Sequence, residues 1–163
     1  MELREHINGK IIFMLLYVLA FVIYIVIGLQ PAQAHYYEII GSLQIPEIGV
    51  NSDVAKLHID HHQLNTPDEI VGSFSRNQNK TFLIGHSTTV FQNLDKIQVG
   101  DEIFYNGKVY VVDDTETLAK EDVDMDGLLE SEDKDTIVIM TCAGELLGEG
   151  DATHRFIVTA SIQ

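Results

Sequence analysis

Residues 136–142 read Thr-Ile-Val-Ile-Met-Thr-Cys, and this stretch does most to indicate the fold. A short, continuous apolar run of this kind is typical of a buried β-strand. Because Ala143-Gly144 follows directly, we expect the side chain of Cys142 to emerge at a strand end. The chain contains one cysteine, so an intramolecular disulfide is excluded. Cys142 is therefore either a buried structural thiol or a nucleophile.

Other short apolar runs surround this strand, separated by turn residues. The clearest pair is 102–105 and 108–113, because the Asn106-Gly107 dipeptide between them supplies the positive φ angles of a two-residue hairpin turn. Further strands are predicted within 43–50, 81–84 and 156–162.

One short amphipathic helix is predicted between residues 88 and 100. Phe91, Leu94 and Ile97 recur there at a helical spacing, which would turn them towards a sheet. No other long helical pattern follows residue 40. The domain is therefore predicted to be mainly β, either a barrel or a sandwich.

The N-terminal part of the chain carries an uncharged apolar run, residues 11–29, about as long as a bilayer core requires. Basic residues precede this run and are then absent until Lys56, a bias that places the N-terminus in the cytoplasm. We predict a single-pass membrane protein, whose four segments are a cytoplasmic N-terminus (1–10), a transmembrane anchor (11–29), a stalk (30–40) and an extracellular domain (41–163).

A cleaved signal peptide is the alternative interpretation of the N-terminal segment. Ala32-Gln33-Ala34 has the small-x-small pattern of a cleavage site. The apolar run is longer than a signal peptide usually has, which favours the anchor. The net charge of −15, from 25 acidic and 10 basic side chains, argues against nucleic acid as a partner, since such a surface repels phosphates.

Two further residues complete a set that could catalyse acyl transfer. His86 follows the strand 81–84 and could act as an acid and base beside a thiol. Arg155 begins the last strand, and its permanent charge suits it to stabilise an oxyanion. Residues 143–154 are predicted to form a connecting loop that lets Arg155 face Cys142. The alternative interpretations are that His86 is an ordinary capping or turn histidine and that Arg155 is an ordinary charge at a strand edge.

The chain resembles the sortase family in several segments that occur in the family's order. The segments are 45–50 (IPEIGV), 84–86 (IGH), 91–97 (FQNLDKI) with 100–101 (GD), 138–142 (VIMTC) and 155–160 (RFIVTA). Val138 and Ile139 stand where the usual signature has Thr and Leu, so the subclass stays open.

The resemblance implies a closed eight-stranded β-barrel with one or two short helices. It implies that Cys142, His86 and Arg155 are catalytic and that Thr141 contributes to substrate binding. The expected reaction cleaves a Leu-Pro-x-Thr-Gly-like sorting signal of a surface protein through a cysteine thioester. An amine of a cell-wall precursor or a pilin lysine then accepts the acyl group. These steps require no cofactor.

An acidic stretch provides a candidate calcium site. Asp122, Asp124 and Asp126 alternate before Gly127, and Asp133 stands at the last position of an EF-hand-like loop. Asp is shorter than the usual final Glu, and no flanking helices are evident, so a solvated acidic loop is the alternative. A membrane-tethered, non-catalytic calcium-binding or adhesion module is the alternative function that this loop would support.

Other histidines offer weaker alternatives. His58, Asp60, His61 and His62 crowd together as a metal set would, although adjacent histidines rarely point at one ion and a polar loop is favoured. His154, beside Arg155, is the rival catalytic histidine. His86 is preferred because it alone has the Gly-His context.

Overall fold

The protein is described by a computed structural model in two compact units, Met1–Tyr36 and Tyr37–Gln163. The described residues are 2–28, 37–57, 59–60, 63–64, 66–77, 79–130, 133–148 and 151–163. In the first unit, helix α1 comprises Glu2–Gly28. Among the described residues, no helix combines the length and the apolar character that a membrane span needs. The predicted anchor 11–29 extends beyond the described residues and stays a prediction. The cleavage-site pattern 32–34 lies entirely outside the described residues.

The second unit is built from short strands, as the apolar runs predict. In chain order the strands are β1 (Ile39–Ile45), β2 (Val50–Lys56), β3 (Ile59–Asp60), β4 (Gln63–Leu64), β5 (Val71–Asn77), β6 (Lys80–Ile84), β7 (Glu102–Tyr105), β8 (Lys108–Ala119), β9 (Thr136–Gly148) and β10 (Asp151–Ile162). One short α-helix, α2 (Met125–Leu128), lies between β8 and β9. Strand β1 begins two residues before the predicted start of the domain.

Eight strands close into a barrel in the order β1-β2-β5-β6-β9-β10-β8-β7, while β3 and β4 pair separately. This confirms the predicted closed eight-stranded barrel. Neighbouring strands are antiparallel except for β2 with β5 and β6 with β9. The parallel pair β6–β9 matters for function, because parallel strands end at the same edge of a sheet.

The barrel interior is filled by aliphatic and aromatic side chains from every side. The fully buried members include Leu43, Ile45, Val54, Val71, Leu83, Leu94, Ile103, Ile137, Ile139, Val158 and Ala160. Each buried Leu or Ile contributes about 1.5–3 kcal/mol, so this interior is the main source of stability.

A second apolar cluster covers the outer face of the barrel at β6, β9 and β10. Its buried members are Phe82, Val138, Met140, Ile157 and Leu129. Leu129 comes from the segment between β8 and β9, and α2 packs its apolar residues against this cluster. Both faces of β9 are therefore buried, which is why residues 137–140 form a continuous apolar run instead of alternating.

The Asn106-Gly107 hairpin is confirmed. It joins β7 to β8, and φ is 50° at Asn106 and 78° at Gly107, the values that this turn requires. Asn106 also accepts a hydrogen bond from the backbone N–H of Ser42 through its side chain, at 3.1 Å. The turn therefore also ties β1 to the β7–β8 hairpin.

The predicted amphipathic helix between residues 88 and 100 is wrong in type. The segment forms consecutive turns and one 3-10 turn, Leu94–Lys96, with i to i+3 hydrogen bonds at Leu94 and Ile97. Phe91, Leu94 and Ile97 are all buried, as predicted. Their spacing of three residues fits the 3-10 period, which has three residues per turn.

The predicted loop 143–154 is also wrong, because β9 and β10 continue through most of it as a long hairpin. Ala143 pairs with His154, and Leu146 pairs with Ala152. Gly144 interrupts the strand with a φ of 77°. Backbone pairing between the two strands overrides the turn signal of Ala143-Gly144, which proves to be a local irregularity.

Candidate active site

Cys142 and Arg155 are direct neighbours across the β9–β10 ladder. Side chains of directly paired residues point to the same face of a sheet, so both project from the outer, apolar face that also carries Met140 and Ile157. Cys142 is partly exposed and forms no disulfide. The predicted approach of Cys142 and Arg155 is present, although it depends on continuous strand pairing.

His86 reaches the same end of the barrel through the parallel pair β6–β9. Ile84 pairs with Met140, so His86 and Cys142 each lie two residues beyond a paired position. The structure therefore places the three predicted catalytic residues on neighbouring strands or just after them, at one edge of the barrel.

Gly85 is needed for the path of the chain into His86. A Cβ atom at this position would lie 2.6 Å from a Val90 methyl group and 2.7 Å from the Phe91 ring. Real Cβ atoms do not approach other atoms so closely, and the ring is held in the core. The Gly-His motif thus has a packing reason: glycine lets the turn after β6 close over Phe91.

Thr141 connects the cysteine strand to the histidine turn. Its hydroxyl donates a hydrogen bond to the backbone carbonyl of Gly85, 2.8 Å away, and Thr141 is buried. The predicted substrate-binding role of Thr141 stays a prediction, since the hydroxyl hydrogen is used within the protein. What the contact does directly is to join β9, one residue before Cys142, to the backbone one residue before His86.

The Thr141→Val variant is expected to lose about 1–3 kcal/mol of unfolding free energy, because the buried Gly85 carbonyl loses its donor. The rate of the reaction catalysed at Cys142 is expected to fall about tenfold or more, because His86 loses its alignment. Thr136→Val is the matched control. Thr136 is equally buried at the far end of β9 and donates to the carbonyl of Lys134. Urea unfolding and turnover are measured for both; an equal loss of turnover would contradict the role assigned to Thr141.

The guanidinium of Arg155 is held by a set of acceptors that the sequence analysis missed. Nη1 donates to the carbonyls of Ala152 and His154, and Nη2 donates to Asp151 Oδ1 at 2.7 Å. The other carboxylate oxygen of Asp151 binds the ammonium group of Lys120. The available signal was the i, i+4 spacing of Asp151 and Arg155, which the predicted loop obscured.

A cavity of about 520 Å³ opens beside Cys142. Its lining includes Ser87, Gln92 and Asp95, from the segment that follows His86, and Thr117 of β8. Cys142 is therefore among the residues that border a space large enough for part of a peptide or an acceptor molecule.

The two histidines near Arg155 and Cys142 differ in their placement. His154 is adjacent to Arg155 in β10, and strand alternation points its side chain to the other face. Its Nδ1 lies 2.8 Å from the hydroxyl of the neighbouring Thr153. His86 is partly exposed, and its Nε2 lies 3.8 Å from the highly exposed carboxylate of Asp68. This placement favours His86 as the partner of Cys142.

The candidate metal sites are not assembled in the described part of the chain. No group of three or more His, Cys, Asp or Glu side chains there is arranged to hold a metal ion. The predicted calcium set, Asp122, Asp124, Asp126 and Asp133, is thus not brought together. Asp124 instead caps α2, accepting hydrogen bonds from the backbone N–H groups of Asp126 and Gly127. His58, His61 and His62 lie outside the described residues.

The barrel unit is similar to known proteins. A family model described as a sortase domain matches residues 43–163. No curated protein sequence is significantly similar to the chain.

Several solved structures are similar to the chain. A lid mutant of sortase A from Corynebacterium diphtheriae is 25% identical, with a TM-score of 0.61 over 83% of this chain and 75% of that one. The sortase D5 transpeptidase of Clostridium perfringens is 27% identical, with a TM-score of 0.58 over 77% and 79%. Sortase C1 of Streptococcus agalactiae, 23% identical, shares the fold, with a TM-score of 0.60 over 77% and 68%. Their different class letters leave the subclass of this chain open.

Proposed function

Because this chain belongs to the sortase family, we propose that it cleaves a Leu-Pro-x-Thr-Gly-like sorting signal through a thioester on Cys142 and transfers the acyl group to an amine. The observation that carries this proposal is the strand register. It pairs Cys142 with Arg155 and brings His86 to the same edge through the Ile84–Met140 pair. These residues supply a nucleophile, a proton carrier and a cation that stays charged.

In the first half-reaction, the Cys142 thiolate attacks the carbonyl carbon of the threonine in the signal. The resulting oxyanion accepts hydrogen bonds from Arg155, which cannot lose its proton. The C–N bond to glycine then breaks, and protonated His86 donates its proton to the departing amine. A thioester remains on Cys142, and His86 is neutral.

In the second half-reaction, an amine attacks the thioester carbonyl and His86 accepts the amine's proton. The C–S bond breaks, Cys142 leaves as a thiolate, and a new amide forms. The set of groups before and after the cycle is the same, so no cofactor is consumed. The cavity that Ser87, Asp95 and Cys142 help to line would give an acceptor amine space in the site.

The apolar outer face that leads to Cys142 suits the leucine and proline side chains of such a signal. Partly buried Ile84 and Leu118 lie on this face, beside buried Met140. Burying two aliphatic side chains there would contribute a few kcal/mol to binding. Glycine after the scissile bond would leave space around the attacked carbonyl.

The proposed location is the bacterial cell membrane, with the barrel outside. Support comes from the uncharged run 11–29 and from the exposed side chains of residues 11–24 in α1. The partners would be surface proteins that carry the signal, and the acceptor would be a cell-wall precursor or a pilin lysine.

The test uses the full chain in detergent micelles with Leu-Pro-x-Thr-Gly peptides, with and without an amine acceptor such as triglycine, and with and without calcium. Mass spectrometry of the protein is expected to show an acyl adduct on Cys142 that disappears when the amine is added. Absence of an adduct with every peptide of this pattern would contradict the proposed signal. Adduct formation that requires calcium would restore the calcium prediction.

A further inference from the structure

The carboxylate of Asp151 joins two cations at the edge of the active site. Oδ1 accepts from Arg155 Nη2 at 2.7 Å and from the backbone N–H of Ala152 at 2.9 Å. Oδ2 binds Lys120, which directly follows β8. Asp151 therefore connects β8 to β10 around the side chain of Arg155.

Burial makes this contact stronger for Arg155 than an ordinary surface ion pair. The Arg155 side chain is 14% exposed, compared with 36% for Asp151 and 50% for Lys120. Hydrogen bonds from Lys120 and then Arg155 hold the pKa of Asp151 well below its usual range. The carboxylate is thus ionised at any pH above the ordinary aspartate value, and the ion pair is lost only as the pH falls through the lowered pKa.

The Asp151 contact also restricts rotation of the guanidinium. Nη1 is bound by the carbonyls of Ala152 and His154, while Nη2 is bound by Asp151. A planar group bound through both terminal nitrogens cannot rotate without breaking hydrogen bonds. None of these three acceptors binds the Nε–H group of Arg155.

We propose that Asp151 is a positioning residue for the acyl transfer proposed above: its carboxylate, held by Lys120, fixes the guanidinium of Arg155 beside Cys142. Cys142 and Arg155 pair directly across the ladder and project from the same face, so a guanidinium fixed in orientation presents its remaining donors at a constant place on the face that carries Cys142. Preorganised donors of this kind lower the barrier because they need not be ordered during the reaction.

The expected effect is on kcat. In Asp151→Ala, kcat for thioester formation is expected to fall about tenfold or more, while KM for the peptide changes by less than about threefold. Asp151→Asn keeps an oxygen acceptor for Arg155 but loses the charge, so its kcat is expected to lie between those of the alanine variant and the wild type. Far-UV circular dichroism and urea unfolding establish that each variant is folded.

Asp135→Asn is the matched control. Asp135 also binds a lysine, Lys108, but it precedes β9, about 20 Å along the strand from Cys142. The kcat of Asp135→Asn is expected to remain within about twofold of the wild-type value. An equal loss of kcat in both variants would overturn the proposal, because it would indicate a general effect of neutralising a carboxylate.

A double variant separates positioning from stability. If Asp151 acts through Arg155, then Asp151→Ala should cause no further loss in an Arg155→Lys background, since lysine has no fork to orient. The proposal would be overturned if the two substitutions lowered kcat by factors that multiply in the double variant, or if Asp151→Ala changed only KM.

A substrate-free measurement distinguishes this inference from the proposed function. Nitrogen-15 NMR of the full chain in micelles is expected to show distinct Nη signals for Arg155 in the wild type and averaged signals in Asp151→Ala. Averaged signals in the wild type would overturn the positioning role. If the wild type shows distinct Arg155 Nη signals but turns over no sorting peptide, the contact between Asp151 and Arg155 is supported and the proposed reaction is contradicted.

Discussion

Cys142→Ala is expected to abolish both the acyl adduct and transfer to an amine, with turnover at least about 1,000-fold below the wild type. The thiol is the group that forms the covalent bond to the substrate, and no other cysteine exists to replace it. Because Cys142 is partly exposed, the unfolding free energy is expected to change by about 1 kcal/mol or less. Peptide cleavage followed by chromatography, with urea unfolding alongside, measures both quantities.

Cys142→Ser serves as the control for this experiment. A hydroxyl keeps nearly the same shape but is a far weaker nucleophile, so this variant is also expected to be inactive and folded. Measurable transfer by the alanine variant would contradict the assignment of Cys142 and move the chemistry elsewhere in the chain.

His86→Ala is expected to lower kcat/KM by about 100-fold to 10,000-fold, because the leaving amine and the attacking amine both lose their proton carrier. His154→Ala is the matched comparison. His154 lies one residue from Arg155, so its imidazole points to the other face of β10, and its Nδ1 contacts the hydroxyl of the neighbouring Thr153. The kcat/KM of His154→Ala is expected to fall by no more than about fivefold.

Steady-state kinetics of the two histidine variants, on one peptide and at one pH, decide between the assignments. If His154→Ala shows the larger loss, His154 is the proton carrier and the preference for His86 is wrong. Equal losses would indicate that neither imidazole transfers the proton directly.

Several parts of the fold follow from residues that are close together in the chain. Asn106-Gly107 is sufficient to predict the β7–β8 hairpin, because the positive φ angles of this turn strongly favour those residue types. The continuous apolar run 137–140 is sufficient to predict a buried strand. Phe91, Leu94 and Ile97 could be assigned to the core from their spacing, but not to a 3-10 turn, since α and 3-10 periods differ little over seven residues.

The length of β9 and β10 could not be read from local sequence. Residues 143–154 contain glycine and polar residues that indicate a loop, yet strand pairing extends through them. Pairing energy comes from a partner strand, so a local pattern does not contain it. The same limit applies to the acidic stretch, where the local pattern did not indicate that Asp124 caps a short helix.

Local sequence and the family resemblance were together sufficient to select Cys142, His86 and Arg155, because their residue types define the chemistry. The anchor likewise remains a prediction from the uncharged run 11–29. What depended on the folded chain is the relation between those residues: the β6–β9 register that carries His86 to Cys142, the Thr141 contact with Gly85, and the hold of Asp151 on Arg155. The first two contacts join segments that are far apart in the chain, so they form only when the barrel closes. The third depends on the burial of Arg155, which the folded barrel also provides.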